Sequence, residues 1–193
     1  MNTATISTGI PGCDQLVLPA HTDDRGAFIK TFSLSSFRTK GWETDFVETF
    51  FTTSGQNVLR GMHLQAPPAD QAKLVYCLSG SVMDVVLDLR RGSPRFGQFA
   101  VIELSADRHN AVYLPRGVAH GFYVRTAPAI MMYHVTAEYV PALDTGIAWD
   151  SFGAPWPTSS PIVSSRDRNL PTLAEFDSPF EFSPASQDKV LTF

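Results

Sequence analysis

Glycine and proline cut this chain into apolar runs too short for helices, and that constrains the fold more than any other feature. Thirteen Gly and 14 Pro are spread through 193 residues. The runs between them hold about four to eight residues, the length of strands bounded by turns. An all-β sandwich or barrel follows. The plainest case is Lys73 to Arg90, which reads as a hairpin: Leu74–Leu78 leads into Ser79-Gly80-Ser81, and Val82–Leu89 leads out. In the second strand Met83, Val85, Leu87 and Leu89 share one face, and Val82, Asp84, Val86 and Asp88 share the other. Asp84 and Asp88 beside two valines are either the floor of a polar cavity or a solvent-facing pair.

Further strands are predicted over Ala27–Ser33, Phe46–Thr53, Gln98–Leu104, Ala111–Leu114, Gly121–Arg125 and Ile130–Thr136. Helical signal is confined to Leu34–Arg38 and Leu173–Phe176. After Trp156-Pro157 the chain is rich in Ser, Pro and Asp and reads as a draped surface segment. One domain over residues 1–177 and a C-terminal tail over 178–193 are expected.

Hydrophobic residues make up 44% and charged residues 18%, which is the profile of a globular protein. The net charge of −4 provides no basic stripe for nucleic acid, although two or three local cations would suffice for a small anion. The first residues lack a basic segment and a long apolar run, so neither a signal peptide nor a membrane span is read, and a cytoplasmic location is the default. Cys13 and Cys77 are too few for a disulfide framework and lack metal-type spacing.

The chemistry concentrates in Leu59-Arg60-Gly61-Met62-His63-Leu64-Gln65. A lone histidine can be a base, a metal ligand or a core residue. Gly61–Gln65 and Pro115-x-Gly-x-x-His120 are similar to the two motifs of the cupin jelly roll. However, Gln65 stands where the second histidine of the first motif would be, and Pro67-Pro68 follow where a carboxylate ligand would come. His63 and His120 alone make a poor metal site, so a metal-free barrel is expected. His21, His109 and His134 occupy loop or strand-end positions and read as structural or solvated.

Taken together, these stretches resemble the dTDP-4-dehydrorhamnose 3,5-epimerase family from about Leu16 to Phe176. The carriers are Asp24-Arg25-Gly26-x-Phe28, the His63 segment, Lys73-Leu74-Val75, Asp84–Arg90, Gly92-Ser93-Pro94-x-Phe96-Gly97 and Ala119–Phe122. Tyr133, Tyr139, Gly146-Ile147-x-Trp149, Trp156-Pro157 and Ser164–Asp167 complete them. The resemblance implies a cupin-like jelly-roll homodimer, in which an N-terminal segment completes the partner's sheet. It also implies epimerisation of a nucleotide-linked 4-keto-6-deoxy sugar without metal or redox cofactor.

By resemblance His63 is the base, Asp167 the carboxylate that holds its imidazole, Tyr133 the acid on the opposite face, and Lys73 the cation near the C4 oxygen. A ketone at C4 acidifies the hydrogens at C3 and C5, so a base, an acid and a cation for the enolate are what the reaction needs. Arg25 and Arg60 match phosphate contacts, His120 a binding histidine, and Tyr139 a ring stacking on the nucleobase. Gln65 flanks the site. Asp144 replaces the family's usual Glu and Arg166 its usual Lys, both retaining charge.

Three positions depart from the family. Its Asp-x-Arg-Gly-x-Phe-x-Glu motif ends here in Lys30, and its Gln-x-Asn pair is replaced by Glu48 and Phe50. The reaction type is therefore expected to be kept, with dTDP-, CDP- and GDP-linked sugars all open as substrates of a deoxysugar pathway for surface polysaccharide or a glycosylated metabolite. A 3,4-ketoisomerase and a non-catalytic sugar-nucleotide-binding barrel are the competing readings.

Overall fold

The protein, represented by a computed structural model, is described over residues 4–184. In chain order the strands are β1 (Ala4–Ser7), β2 (Asp14–Val17), β3 (Ala20–Asp23), β4 (Gly26–Ile29), β5 (Glu48–Ser54) and β6 (Leu59–Gln65). They continue with β7 (Lys73–Asp88), β8 (Phe99–Ser105), β9 (Asn110–Leu114), β10 (Val118–Val135) and β11 (Asp144–Gly146). One helix, α1 (Leu34–Thr39), precedes β5. The main sheet runs β1-β2-β9-β7-β10-β6-β11, with β5 added to β10 and β8 to β7; every named pairing is antiparallel. β3 and β4 form a separate, almost wholly exposed ribbon.

The expected hairpin at Lys73–Arg90 is one continuous strand. β7 pairs β9 through Lys73–Tyr76 and β8 through Ser81–Leu87, while β10 follows it along both halves. Ser79-Gly80-Ser81 is a bend between two stretches rather than a reversal. Gly80 has φ +71°, and a Cβ there would meet the Thr126 carbonyl oxygen at 2.1 Å. The bend also changes the strand's phase: Val75 and Cys77 point into the same core as Val82 and Val86, which an unbroken alternation would forbid. For the same reason the two strands expected at Gly121–Arg125 and Ile130–Thr136 are halves of β10, whose register slips opposite that bend. The strand expected at Ala27–Ser33 stops at Ile29, and Leu173–Phe176 is a turn held by Glu175 N–H to the Thr172 carbonyl rather than a helix.

Three packed clusters hold the barrel. Val75, Val82, Val86, Phe122, Met131 and Val135 belong to the inner one, and Tyr133 and Phe122 at its upper edge also border the site. Leu59, Met62, Val85 and Leu87 form the second, covered by Trp149, Trp156, Leu173 and Phe180 from the C-terminal third. The third packs Phe37 of α1 with Trp42 and Tyr113, the last two stacked at 4.7 Å. Both cysteines are buried and unpaired.

The start of the expected tail is part of the body. Phe180 is 4% exposed and in core contact, Ser178 Oγ donates to the Leu89 carbonyl, and Arg91 N–H donates to the Phe180 carbonyl. An apolar residue flanked by Pro179 and Glu181 gave no such signal in sequence. Residues 185–193 lie outside the described part. Among the described residues no helix is long and apolar enough to cross a membrane.

Candidate active site

A cavity of about 370 Å³ opens between β5, β6, β7 and β10. Its key wall is β6, and the close packing of β6 on β10 explains the glycine before the histidine. A Cβ at Gly61, whose φ is +132°, would sit 2.4 Å from the Gly121 Cα. With both positions side-chain-free, the strands approach closely and His63 stands opposite His120 in the ladder.

His63 Nε2 lies 2.8 Å from Asp167 Oδ1. The second carboxylate oxygen accepts the Gly61 N–H at 3.2 Å, and Asp167's own N–H donates to Ser164 Oγ at 3.0 Å. Burial alone would raise the Asp167 carboxyl, but the bonds from His63 and Gly61 hold it below the ordinary carboxylate range. Burial lowers the His63 imidazole against the opposing pull of Asp167. An ionised Asp167 makes Nε2 the protonated nitrogen, leaving Nδ1 as the basic one.

Lys73, at the start of β7, is buried and donates from Nζ to the His63 carbonyl at 3.3 Å. Desolvation lowers its ammonium to about 8, with Asp144 opposing and Arg166 reinforcing the drop. It still carries charge at neutral pH.

Tyr133 is inward-facing on β10. Its ring stacks on Phe50 of β5 with centroids 4.8 Å apart and planes 10° from parallel, and the edge of His120 meets it at 5.8 Å. Phe50 and Tyr133 are also register partners. Burial and the nearby Asp84 charge push the Tyr133 phenol well above its ordinary value, against the smaller effects of Thr52 and Arg60.

His120 is 4% exposed, with Nε2 2.6 Å from Asp84 Oδ2. Of the two open readings of the aspartate face, neither describes Asp84, which is fully buried, does not border the cavity, and instead backs His120, which does. Nor does either describe Asp88, which accepts Arg90 Nε and Nη2 and the Ser93 hydroxyl within a structural turn.

The remaining wall is a polar chain. Tyr139 Oη donates to Asp144 Oδ2 at 3.1 Å, Arg166 Nη2 to Asp144 Oδ1 at 2.7 Å, and the Tyr139 N–H to Glu48 Oε2 at 2.8 Å. Arg60 is braced by Nε on Ser54 Oγ and Nη2 on the Thr53 carbonyl. Gln65 borders the cavity, but its amide is engaged by the Ala69 and Glu138 carbonyls and the Val140 N–H, so it braces the loop carrying Tyr139.

Twelve of the 14 residues singled out in sequence thus gather in one place. Arg25 and Lys30 do not. Arg25 sits at the tip of the β3–β4 ribbon, paired with Asp23 in solvent, and Lys30 follows β4, exposed. A strand ribbon that leaves its own barrel cannot reach that barrel's cavity. Sequence reasoning missed Thr52 and Gln71, which also border the cavity and carry no motif of their own, and gave no role to Phe122, a motif residue that borders it too. His134 is structural as expected, linking Tyr76 Oη and Thr49 Oγ1. Among the described residues no three His, Cys, Asp or Glu side chains converge in a metal-binding arrangement.

The family model described as dTDP-4-dehydrorhamnose 3,5-epimerase matches residues 7–175. The Escherichia coli enzyme of that name is 41% identical over 157 residues, spanning 79% of this chain and 85% of its own. Among solved structures, the dTDP-6-deoxy-D-glucose 3,5-epimerase of Legionella pneumophila, in complex with dTDP-4-keto-L-rhamnose, superposes with a TM-score of 0.89 at 31% identity. That match covers 94% of this chain and all of the other. A 3'-monoepimerase of Streptomyces bikiniensis in complex with dTDP-quinovose gives a TM-score of 0.81 at 33% identity, covering 90% and 88%. The expected cupin-like jelly-roll fold is the observed one.

Proposed function

The chain belongs to the dTDP-4-dehydrorhamnose 3,5-epimerase family and is a sugar-nucleotide epimerase of the isomerase class, and from that premise we propose that it inverts C3, C5 or both of a nucleotide-linked 4-keto-6-deoxyhexose through an enolate. The observation that carries this reading is the bond between His63 Nε2 and Asp167. It leaves Nδ1 to take the proton, and the nearby carboxylate favours the imidazolium that forms. The electron pair of the broken C–H bond moves onto the C4 oxygen, whose negative charge the Lys73 ammonium stabilises. Tyr133 then donates its phenolic proton to the opposite face, water reprotonates the phenolate, and His63 returns its proton to water. No metal or redox cofactor takes part in this scheme.

Arg60, Arg166 and His120 offer donors for the diphosphate and sugar, and Tyr139 a ring for the base. Relatives bound to dTDP sugars favour a dTDP-linked substrate. Glu48 and Phe50 at that wall, with Lys30 in the ribbon, make CDP- and GDP-linked sugars the alternatives to test. The ribbon itself, with Phe28 61% exposed beside Arg25, supports a homodimer in which each ribbon reaches the partner's cavity. The product would serve deoxysugar biosynthesis for a polysaccharide or a glycosylated metabolite.

The test is a panel of dTDP-, CDP- and GDP-4-keto-6-deoxyglucose in D2O, with stereochemistry and deuterium read by NMR. Inversion with label at C3 or C5 is expected, fastest with dTDP. Label at C4 with the carbonyl moved to C3, and none at C5, would replace epimerisation by ketoisomerisation.

A further inference from the structure

Phe50 is one of the three positions at which this chain leaves the family pattern, and it lies flat against the residue proposed to deliver the second proton. We propose that Phe50 is a positioning residue for Tyr133: its ring fixes the phenol at the angle needed to protonate the enolate face opposite His63. This rests on the His63–Tyr133 reading above.

The geometry supports it from three sides. The planes of the two rings differ by 10° and their centroids are 4.8 Å apart, so the stack covers one face of Tyr133. The His120 edge, 5.8 Å away at 76°, meets the phenol from another direction, and His120 is itself held by Asp84 at 2.6 Å. The β5–β10 ladder places Phe50 and Tyr133 directly opposite each other, so the contact is set by backbone register as well as by rotamer. Phe50 is nevertheless 40% exposed, which is atypical of a residue whose role is to fill a core. In this chain, removing the ring would uncover that face of the phenol and leave the His120 edge as its remaining aromatic contact among the described residues.

Positioning has a signature that stability lacks. After His63 has taken a proton, the enolate has two fates. Protonation by Tyr133 inverts the centre, and return of a solvent-exchanged proton from His63 restores it with label. A misplaced phenol slows only the first, so label accumulates in unreacted stereochemistry. Misplacement by about an ångström can reduce a rate about 100-fold.

The experiment compares wild type, Phe50→Ala and Phe50→Tyr with dTDP-4-keto-6-deoxyglucose in D2O. It reads the ratio of deuterium exchange with retention to exchange with inversion at C3 and C5, with circular dichroism to confirm folding. Phe50→Ala, which removes the ring without supplying the amide that relatives carry there, is expected to raise the ratio about tenfold or more, and Phe50→Tyr, which keeps a flat ring, to hold it near wild type. An unchanged ratio in Phe50→Ala, or the same ratio change in both variants, would overturn the inference. Absence of label in the wild type would instead remove the underlying epimerase reading.

Discussion

The protein holds two histidine–aspartate pairs in adjacent strands, and their environments set them apart. In the first, the His63 side chain is 26% exposed and its aspartate arrives from a 3-10 turn, Asp167–Asn169, outside the sheet. That carboxylate is held below its ordinary range by donors on both oxygens. In the second, His120 and Asp84 are both buried within the strands, and Asp84 Oδ1 has no hydrogen-bond partner among the described residues. Burial pushes the Asp84 carboxyl up, with His120 only partly opposing it. The same two residue types therefore make an imidazole on an ionised carboxylate, open to ligand, at one position and a sealed hydrogen-bonded pair at the other. Solvation and the number of N–H donors, rather than identity or distance, decide which can act as a base.

Exchanging carboxylate for amide tests the contrast most severely. Asp167→Asn keeps shape but removes the charge and the preference for Nε2–H, so the inversion rate should fall on the order of 100- to 10,000-fold. Asp84→Asn should change it by less than about tenfold, read from the same initial-rate assay. Comparable losses in both variants would erase the distinction.

The pH profile of kcat/KM separates the groups next. His63 must be neutral to accept a proton, and burial lowers it, so the acid limb should fall below the ordinary histidine value of about 6.5. Lys73 must be charged, and with its ammonium at about 8 activity should decline as pH rises through that value. Lys73→Arg should move the alkaline limb upward, because a guanidinium stays charged. An alkaline limb that stays near the same pH in this variant would assign it to another group.

The smallest effect concerns stability. An acid whose folded pKa is raised binds its proton more tightly in the native state, so stability is full at low pH and falls as pH climbs through the folded value. Wild type should therefore lose melting temperature relative to Asp84→Asn as pH rises above the ordinary aspartate range. A difference independent of pH would show Asp84 titrating normally.

Period-2 alternation, which is local, led to the β class, whereas most of the cavity residues came from the resemblance of short motifs to the family. What escaped them is non-local. Ser79-Gly80-Ser81 has the composition of a turn, and only the pairing of β7 with β10 on both sides shows it to be a bend. Phe180 looked like tail because its core partners, such as Leu89, lie far back in the chain. Arg25 matched its motif position and Lys30 replaced the motif's Glu, but the β3–β4 ribbon holds both away from their own barrel. Asp84 could be placed on a face with Val82 and Val86, yet its partner His120 is 36 residues away.

The account stands on His63, not His120, being the base. Deuterium wash-in at C3 and C5 of dTDP-4-keto-6-deoxyglucose, followed by NMR in D2O for His63→Ala and His120→Ala, tests this directly. We predict no enzyme-dependent label with His63→Ala and continued labelling with His120→Ala, at a raised KM. Labelling that persists in His63→Ala and vanishes in His120→Ala would contradict it.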